Sequence, residues 1–84
     1  MAKIFVDVIT PGNGKTYEFQ LDNIMTVGQV KSRMIDEITE LESGNITLKL
    51  GKTMLCNLDT REQLDEAETL RNAGIKSGHS LLLI

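Results

Sequence analysis

The residues that could carry nucleophilic or acid-base chemistry are few and lie in separate segments. The only histidine is His79, beside Ser80 in the segment GHS, and the only cysteine is Cys56. A hydrolase needs a nucleophile, a base and an orienting acid that converge from different elements, and this sequence offers little from which to build such a site. We interpret His79 as a solvated turn residue and Cys56 as a small strand residue, and we expect no enzymatic activity.

Sites for metals and phosphates also lack their sequence patterns. A structural zinc site takes about four Cys or His ligands, more than this sequence supplies. The segments GNG and LGK do not have the GxxxxGK[ST] spacing of a phosphate-binding loop, and no acidic segment has the D-x-[DN]-x-[DN]-G pattern of a calcium loop. The sequence predicts no cofactor and no metal.

Carboxylates form two clusters in a chain whose formal net charge is -3. This charge argues against nucleic-acid binding, because phosphate backbones are held by clustered Lys and Arg side chains. The clusters have two open interpretations, a solubilising surface or steering toward a basic partner. Their members are Asp59, Glu62, Asp65, Glu66 and Glu68 in one segment, and Asp36, Glu37, Glu40 and Glu42 in the other.

The length of 84 residues indicates one domain, spanning residues 1–84, whose single core is limited to about one sheet against one helix. No stretch approaches the roughly 20 apolar residues that span a bilayer, and the start MAKIFVDVIT lacks the apolar core of a secretory leader. One cysteine excludes an internal disulfide. We expect a cytoplasmic protein without direct membrane insertion, either a monomer or a weak homo-oligomer.

The first two elements that must position any site form a predicted β-hairpin. The segments KIFVDVIT and KTYEFQLD are rich in β-branched and aromatic residues, and PGNG between them supplies the residues of a tight loop. Period-two alternation leaves Phe5 and Ile9 on the outer face with Asp7. The predicted core positions are Ile4, Val6 and Val8 in the first strand, and Tyr17, Phe19 and Leu21 in the second.

An amphipathic helix is predicted from the change of period that follows Met25. Thr26 fits the N-cap, and Gln29 completes a capping box, while Gly44 is a natural end. Glu40 and Glu42 fall near the helix C-terminus, where the macrodipole disfavours carboxylates and favours fraying. Apolar residues spaced three and four apart should pack on the sheet: Val27, Val30, Met34, Ile38 and Leu41.

The second half of the chain predicts another hairpin, a tight turn and a last strand. Residues 45–53 could form either a short strand or an ordered loop, whereas MLCNL, the turn DTRE and QLD indicate strand, turn and short return strand. In ETLRNAGI we expect one turn pinned to the core by Leu70, Ala73 and Ile75. The order hairpin, helix, hairpin, turn, strand predicts an α+β fold of the β-grasp type, a mixed sheet of four to five strands packed on one helix.

Several of these segments resemble ubiquitin-like proteins. IFV resembles the first strand of ubiquitin, KTYEFQL its second strand, and TVGQVKSRM its helix start, where the same threonine cap precedes a Val-Lys pair. The segment QLDEAETLRNAGIKSGHSLLL reproduces the Gln-Leu, Thr-Leu, Ile and Leu-x-Leu positions of ubiquitin at identical spacing. The resemblance covers nearly the whole chain except about residues 39 to 54, where this chain is longer.

A narrower resemblance is to the small bacterial YukD/EsaB proteins associated with type VII secretion. It rests on a helix extended through DEITELESG, on the longer central segment, and on the ending AGIKSGHSLLLI in place of a conjugation tail. The resemblance implies a cytosolic accessory or regulatory protein of such a system, without catalysis. The alternative is a ubiquitin-like modifier or sulfur carrier joined through its C-terminus, which we disfavour because no flexible Gly-Gly tail follows Ile84.

The remaining candidate site is a surface for a protein partner. If Leu81 and Leu83 hold the core, alternation sends Leu82 and Ile84 to the opposite face. Phe5 and Ile9 of the first strand, the parallel neighbour in a β-grasp, should share that face, and exposed apolar patches mark interaction sites. Ubiquitin uses an apolar patch on the corresponding face; by this resemblance its central isoleucine falls near Cys56 or Asn57. We therefore predict partner binding through Phe5, Ile9, Leu82 and Ile84, unless residues 45–53 or a second copy of the chain cover the face.

Overall fold

The computed structural model describes residues 3–44, 48 and 50–84, which form one mixed sheet packed on one helix. The α+β β-grasp prediction is confirmed. The elements are strands β1 (Lys3–Thr10) and β2 (Lys15–Asp22), helix α1 (Val27–Leu41), a short 3-10 helix (Leu50–Lys52), and strands β3 (Leu55–Asn57), β4 (Glu62–Gln63) and β5 (Ser80–Leu83).

The sheet has the strand order β2-β1-β5-β3-β4. Strand β5 enters the middle of the sheet, parallel to β1 and antiparallel to β3. The first and last strands are therefore neighbours, as predicted. Helix α1 packs against one face only, since the buried core joins its apolar side chains to alternate residues of β1, β2, β3 and β5.

The predicted hairpin is present, and its alternation is that expected for a sheet with one covered face. Ile4, Val6 and Val8 are buried, as are Phe19 and Leu21, whereas Tyr17 is only partly buried against the same core. Asn13 organises the loop, because its side-chain oxygen accepts bonds from the Thr10 hydroxyl and the Lys15 amide.

The predicted capping box opens the helix. The Gln29 amide donates to the Thr26 hydroxyl oxygen (3.2 Å), and the Thr26 amide donates to the Gln29 side chain (3.0 Å). At the other end, the Gly44 amide bonds the Thr39 carbonyl and the Ser43 amide bonds the Glu40 carbonyl, which is the pairing of a Schellman motif. Gly44 has a φ of 77°, in the left-handed region that glycine tolerates.

The prediction that Leu41 packs on the sheet is wrong. Its side chain is 67% exposed at the last position of α1, next to Glu37 and Glu40 at the surface. Periodicity sets the direction in which a side chain points, but it does not place another element beside it. Two buried helix residues were not predicted, Ile35 and the charged Lys31.

The second hairpin and the following turn agree with their predictions in outline. β3 and β4 pair antiparallel around a turn in which Arg61 has a φ of 59°. Leu70 and Ile75 are buried, and Ala73 packs against the core. Among the described residues, no helix is long and apolar enough to cross a membrane.

The uncertain segment 45–53 is described only in part. Residues 50–52 form the 3-10 helix, Leu48 packs against the core, and the Thr53 carbonyl accepts a bond from Lys31 of α1. These parts lie on the helix side of the sheet. The choice between strand and loop at residues 45–47 and 49 falls outside the described residues.

Candidate docking face

The face of the sheet opposite α1 carries a row of apolar side chains from three adjacent strands. Ile9 of β1 pairs with Leu82 of β5, which in turn pairs with Cys56 of β3. All three are half-buried. Because paired residues on neighbouring strands project to the same side of a sheet, these side chains form one contiguous row across its middle.

A second group of apolar residues extends this row on the β3 side. Ile84 and Met54 exchange backbone hydrogen bonds, so the pairing of β5 with β3 continues one step beyond the assigned strands. The Leu58 amide bonds the Ser80 carbonyl at the other end of the same pair of strands. Ile84, Met54 and Leu58 are all exposed. We call the six residues Ile9, Met54, Cys56, Leu58, Leu82 and Ile84 the open-face cluster.

Phe5 is on the predicted face but apart from this cluster. Its side chain is exposed, and its backbone is held by the loop before β5, since the Phe5 amide donates to the Ser77 hydroxyl and its carbonyl accepts from the Gly78 amide. The register places Asp7 paired with Ser80 between Phe5 and the row of Ile9. The structure therefore brings Ile9, Leu82 and Ile84 together, whereas Phe5 is separated from them by the polar Asp7–Ser80 pair.

Three members of the open-face cluster were not among the predicted site residues. Met54 and Leu58 belong to the predicted strand segment MLCNL, and Cys56 is its middle residue. The available signal was alternation, because Leu55 and Asn57 are buried and leave residues 54, 56 and 58 for the other face. By the resemblance to ubiquitin, Cys56 or Asn57 was expected near the position of the central isoleucine of its apolar patch. Cys56 lies on the open face, whereas Asn57 is buried on the helix side.

Two carboxylates oppose each other beside the cluster. Asp7 of β1 pairs with Glu18 of β2, and both are exposed. The Asp7 amide donates to the His79 carbonyl near β5, so the Asp7–Glu18 pair is a non-hydrogen-bonded one, in which side chains come closest. At the end of the same two strands, beyond the Phe5–Gln20 pair, Lys3 opposes Asp22, and these two charges are complementary. The like-charged pair thus stands two residues from Ile9.

On the helix side, by comparison, Lys15 and Glu42 are engaged with each other. Lys15 donates to Glu42 (2.7 Å), which also accepts from the Tyr17 hydroxyl (2.7 Å). The hydrogen bond from Lys15, which has the larger effect, and the bond from Tyr17 lower the pKa of Glu42 below its ordinary value. The same bond with Glu42 raises the pKa of Lys15. Glu42 was expected to destabilise the helix end through the macrodipole; the two donors from β2 offset that placement.

His79 does more than occupy a solvated turn. It is half-buried, its Nδ1 accepts from the Lys76 amide (3.3 Å), and the Asn57 side chain lies 3.4 Å from the same nitrogen. Asp59 accepts from the Ser80 amide (2.7 Å). These contacts hold the loop that leads into β5, and so they fix the strand that supplies Leu82 to the open face.

Comparison with solved structures supports the ubiquitin-like fold. The ubiquitin of Caldiarchaeum subterraneum superposes with a TM-score of 0.74 at 21% identity, covering 99% of this chain and 92% of that one. The ubiquitin-like domain of an Arabidopsis thaliana protein gives 0.73 at 22% identity, with 100% and 78% covered. A de novo design based on ubiquitin gives 0.71 at 15%, with 98% and 87% covered.

These similarities are at the level of the fold. No protein-family model matches the sequence, and no curated protein matches it. The chain therefore has a ubiquitin-like β-grasp fold, and its function has to be argued from its own surface.

Proposed function

We propose that this protein is a non-catalytic ubiquitin-like interaction module that docks a protein partner through the open face of its sheet. The observation that carries the proposal is the open-face cluster, six apolar side chains from β1, β3, β5 and the residues that flank them. Within the described residues, no helix or strand covers this face, and an exposed apolar cluster of this kind is typical of the core of an interface rather than of ordinary surface.

The arrangement of the cluster suits docking by a rigid surface. Ile9 and Leu82 sit on paired strands in the centre of the sheet, where backbone hydrogen bonds on both sides limit movement. Met54 and Ile84 are exposed beside them and would be covered on binding. Contacts near the centre of an interface usually supply most of its binding energy, and rigid groups there lose little entropy when they are buried.

The more specific part of the proposal is a role as a cytoplasmic accessory or regulatory component of a type VII secretion system. It is supported by the resemblance to YukD/EsaB proteins in the segment DEITELESG and the ending AGIKSGHSLLLI. The partner would then be a component of the secretion machinery. The rival function is that of a modifier or carrier joined to its targets through the C-terminus, which the fold shared with ubiquitin allows.

Co-purification from the cells that naturally express the protein tests this proposal. Tagged wild-type protein is compared with Leu82→Gln and Ile84→Gln by quantitative mass spectrometry. The matched control is Ile24→Gln, because Ile24 is 51% exposed and Ile84 46%, but Ile24 lies in the turn before α1, outside the open-face cluster. We expect the two open-face variants, and not the control, to lose the same specific partner while remaining folded by circular dichroism.

The outcomes separate the proposed functions. A secretion component among the lost proteins supports the specific role, whereas a different protein complex supports docking but contradicts the role in secretion. Equal recovery of partners by all variants contradicts docking through this face. A covalent adduct between the C-terminus of this protein and a lysine of another protein would establish the rival function.

A further inference from the structure

We infer that the open face binds a basic amphipathic helix, one that places a Lys or Arg side chain over Asp7 and Glu18 and apolar side chains on the open-face cluster. This inference rests on the proposed docking function and adds the chemistry of the partner. It comes from the negative charge of Asp7 and Glu18 next to the cluster. A partner that was only apolar would be better matched by uncharged residues at these positions.

The Asp7–Glu18 pair lacks a compensating cation in the part of the chain that the structure describes. The three ion pairs found there are Lys15–Glu42, Lys31–Glu66 and Arg33–Glu37. Carboxylates directly opposite each other on neighbouring strands repel, and their Cβ atoms in such a pair are about 4.5 to 5.5 Å apart. One ammonium or guanidinium group can reach both at that separation.

Docking of a partner would make a cation beside Asp7 and Glu18 more favourable than it is in the free protein. When a partner covers Ile9 and Leu82, it also removes water from the neighbouring Asp7 and Glu18, and two desolvated carboxylates repel more strongly than two hydrated ones. An apolar or acidic partner therefore increases the repulsion. A partner with a Lys or Arg at this position neutralises it and is selected over the others.

The pairing of the strands favours a helix as the basic element, because β1, β5 and β3 are each paired on both sides and cannot take up a partner strand. A segment that lies on this face must therefore satisfy its own backbone hydrogen bonds, as a helix does. Asp7 and Ile9 are two residues apart on one strand, which separates them by about 6.6 to 6.8 Å. Side chains one turn apart on a helix are about 5 to 6 Å apart. A helix with a basic residue followed by apolar residues at intervals of three and four can therefore contact Asp7 and the row of Ile9 and Leu82 together.

A second acidic and apolar surface lies on α1, but it fits such a partner less well. It consists of Glu37, Glu40 and the exposed Leu41, which line a shallow surface pocket. Leu41 is a single apolar side chain, and Glu37 is already bonded to Arg33 at 3.2 Å. Glu40 of this surface, together with Asp36 on the same helix, provides the matched comparison for the experiment.

The test uses two synthetic helical peptides of Leu and Ala that differ only in carrying Lys or Gln on the polar side. Each is titrated into the isotope-labelled full chain at low salt and followed by NMR. We expect the Lys peptide to shift the amides of Asp7, Ile9 and Leu82 and to bind at least about tenfold tighter than the Gln peptide. Raising the salt concentration should reduce that difference.

Two charge variants decide whether the pair itself is responsible. Asp7→Asn with Glu18→Gln should weaken binding of the Lys peptide about tenfold. Asp36→Asn with Glu40→Gln removes the same net charge from α1 and should weaken it less than about twofold. Leu82→Gln should weaken binding of both peptides, because it removes an apolar contact without changing charge.

Three results would overturn the inference. They are equal binding of the Lys and Gln peptides, equal weakening by the two charge variants, and shifts confined to residues of α1. None of them bears on whether the open face docks a protein, since that is judged by the separate co-purification of Ile84→Gln against Ile24→Gln.

Discussion

The two faces of the sheet are built from the same strands, yet they differ in how their side chains are accommodated. Leu81 and Leu82 are adjacent in β5; Leu81 is fully buried under α1, and Leu82 is half-exposed in the open-face cluster. On the covered face, burial explains the residue types. On the open face, folding alone gives no reason for large apolar side chains at this density, which is why we propose that this face binds a partner.

Charged residues show the same contrast. On the helix side, Lys31 is buried and bonds both the Thr53 carbonyl (2.8 Å) and Glu66 (2.9 Å), and Glu42 has two donors from β2. On the open face, Asp7 and Glu18 stand opposite each other without a cation among the described residues. Lys31 and Glu42 are thus matched to partners within the chain, whereas the described part of the chain provides no cation for the Asp7–Glu18 pair.

The largest expected difference between the faces is that between two neighbouring leucines. Leu81→Ala should lower the free energy of unfolding by about 2 to 5 kcal/mol, because it removes buried methyl groups and leaves a cavity. Leu82→Ala should cost about 1 kcal/mol or less, since its side chain keeps water on one side. Urea denaturation of both variants measures the two values.

A cost for Leu82→Ala equal to that of Leu81→Ala would contradict the comparison. It would mean that the outer face is covered in solution, for example by a second copy of the chain. Measuring the midpoint at several protein concentrations distinguishes this case, because the stability of a dimer rises with concentration.

Alternation and capping were sufficient to predict the single elements of the first half of the chain, and the order of the elements predicted the fold. Burial of Val6, Val8 and Phe19 followed from period two, and the Thr26 cap followed from one local pattern. These features depend on residues near in sequence, or on the simple requirement that one face of each element be apolar. The parallel pairing of the first and last strands then followed from the order of the elements in the β-grasp arrangement.

The features that the sequence could not predict depend on which elements meet. Lys31 looks like a surface residue of a helix until the Thr53 carbonyl is brought against it. Leu41 continues the apolar stripe but is exposed, with no other element of the described structure packed on it. Phe5 shares a face with Ile9 but is separated from it by the Asp7–Ser80 pair. Registers between distant strands, which decide such contacts, are not encoded in the periodicity of either strand.

Replacing Lys31 tests how far the covered face depends on internal partners. Its side chain is 4% exposed, and that of Glu66 is 62% exposed. Lys31→Met keeps most of the apolar stem but removes a charged hydrogen bond to the Thr53 carbonyl, so unfolding should become easier by about 1.5 to 3 kcal/mol. Glu66→Gln should cost less than about 1 kcal/mol, because its end of the ion pair is in solvent.

Thermal and urea unfolding of the two variants provide the measurement. If Glu66→Gln costs as much as Lys31→Met, the ion pair and not the bond to the Thr53 carbonyl is the main contribution. The buried lysine would then stabilise the contact between α1 and residues 65–68 rather than that with residues 50–53.

Acid should selectively remove the contribution of Glu42. Since its pKa in the folded protein is lowered from an ordinary value of 4.5, its contribution is fully present above that value and is lost as the pH falls through the lower folded pKa. Wild type should therefore exceed Glu42→Gln in stability at neutral pH, and the difference should disappear at strongly acidic pH. Denaturation at a series of pH values measures it.

Tyr17→Phe and Glu40→Gln serve as the comparisons for this prediction. Tyr17→Phe removes one of the two donors to Glu42 and should reduce, without abolishing, the loss of stability in acid. Glu40→Gln removes a carboxylate from the same helix end without removing a bond to β2. Since the macrodipole disfavours a carboxylate at this end, Glu40→Gln should leave the stability unchanged or raise it slightly. An equal loss of stability for Glu40→Gln and Glu42→Gln at neutral pH would contradict the assignment of the stabilisation to Lys15 and Tyr17.

The smallest expected effect has the opposite sign and concerns the open face. Asp7→Asn removes the repulsion from Glu18 and should raise the free energy of unfolding by about 0.2 to 1 kcal/mol, an unusual gain for a single substitution. Glu18→Gln should give a similar gain, and the double variant little more, because either change alone relieves the same repulsion. Additive gains would mean that the two carboxylates do not interact. If the double variant gains little more stability than either single variant, Asp7 and Glu18 together lower the stability of the free protein. This result is expected where side chains are arranged for a cationic partner rather than for the fold.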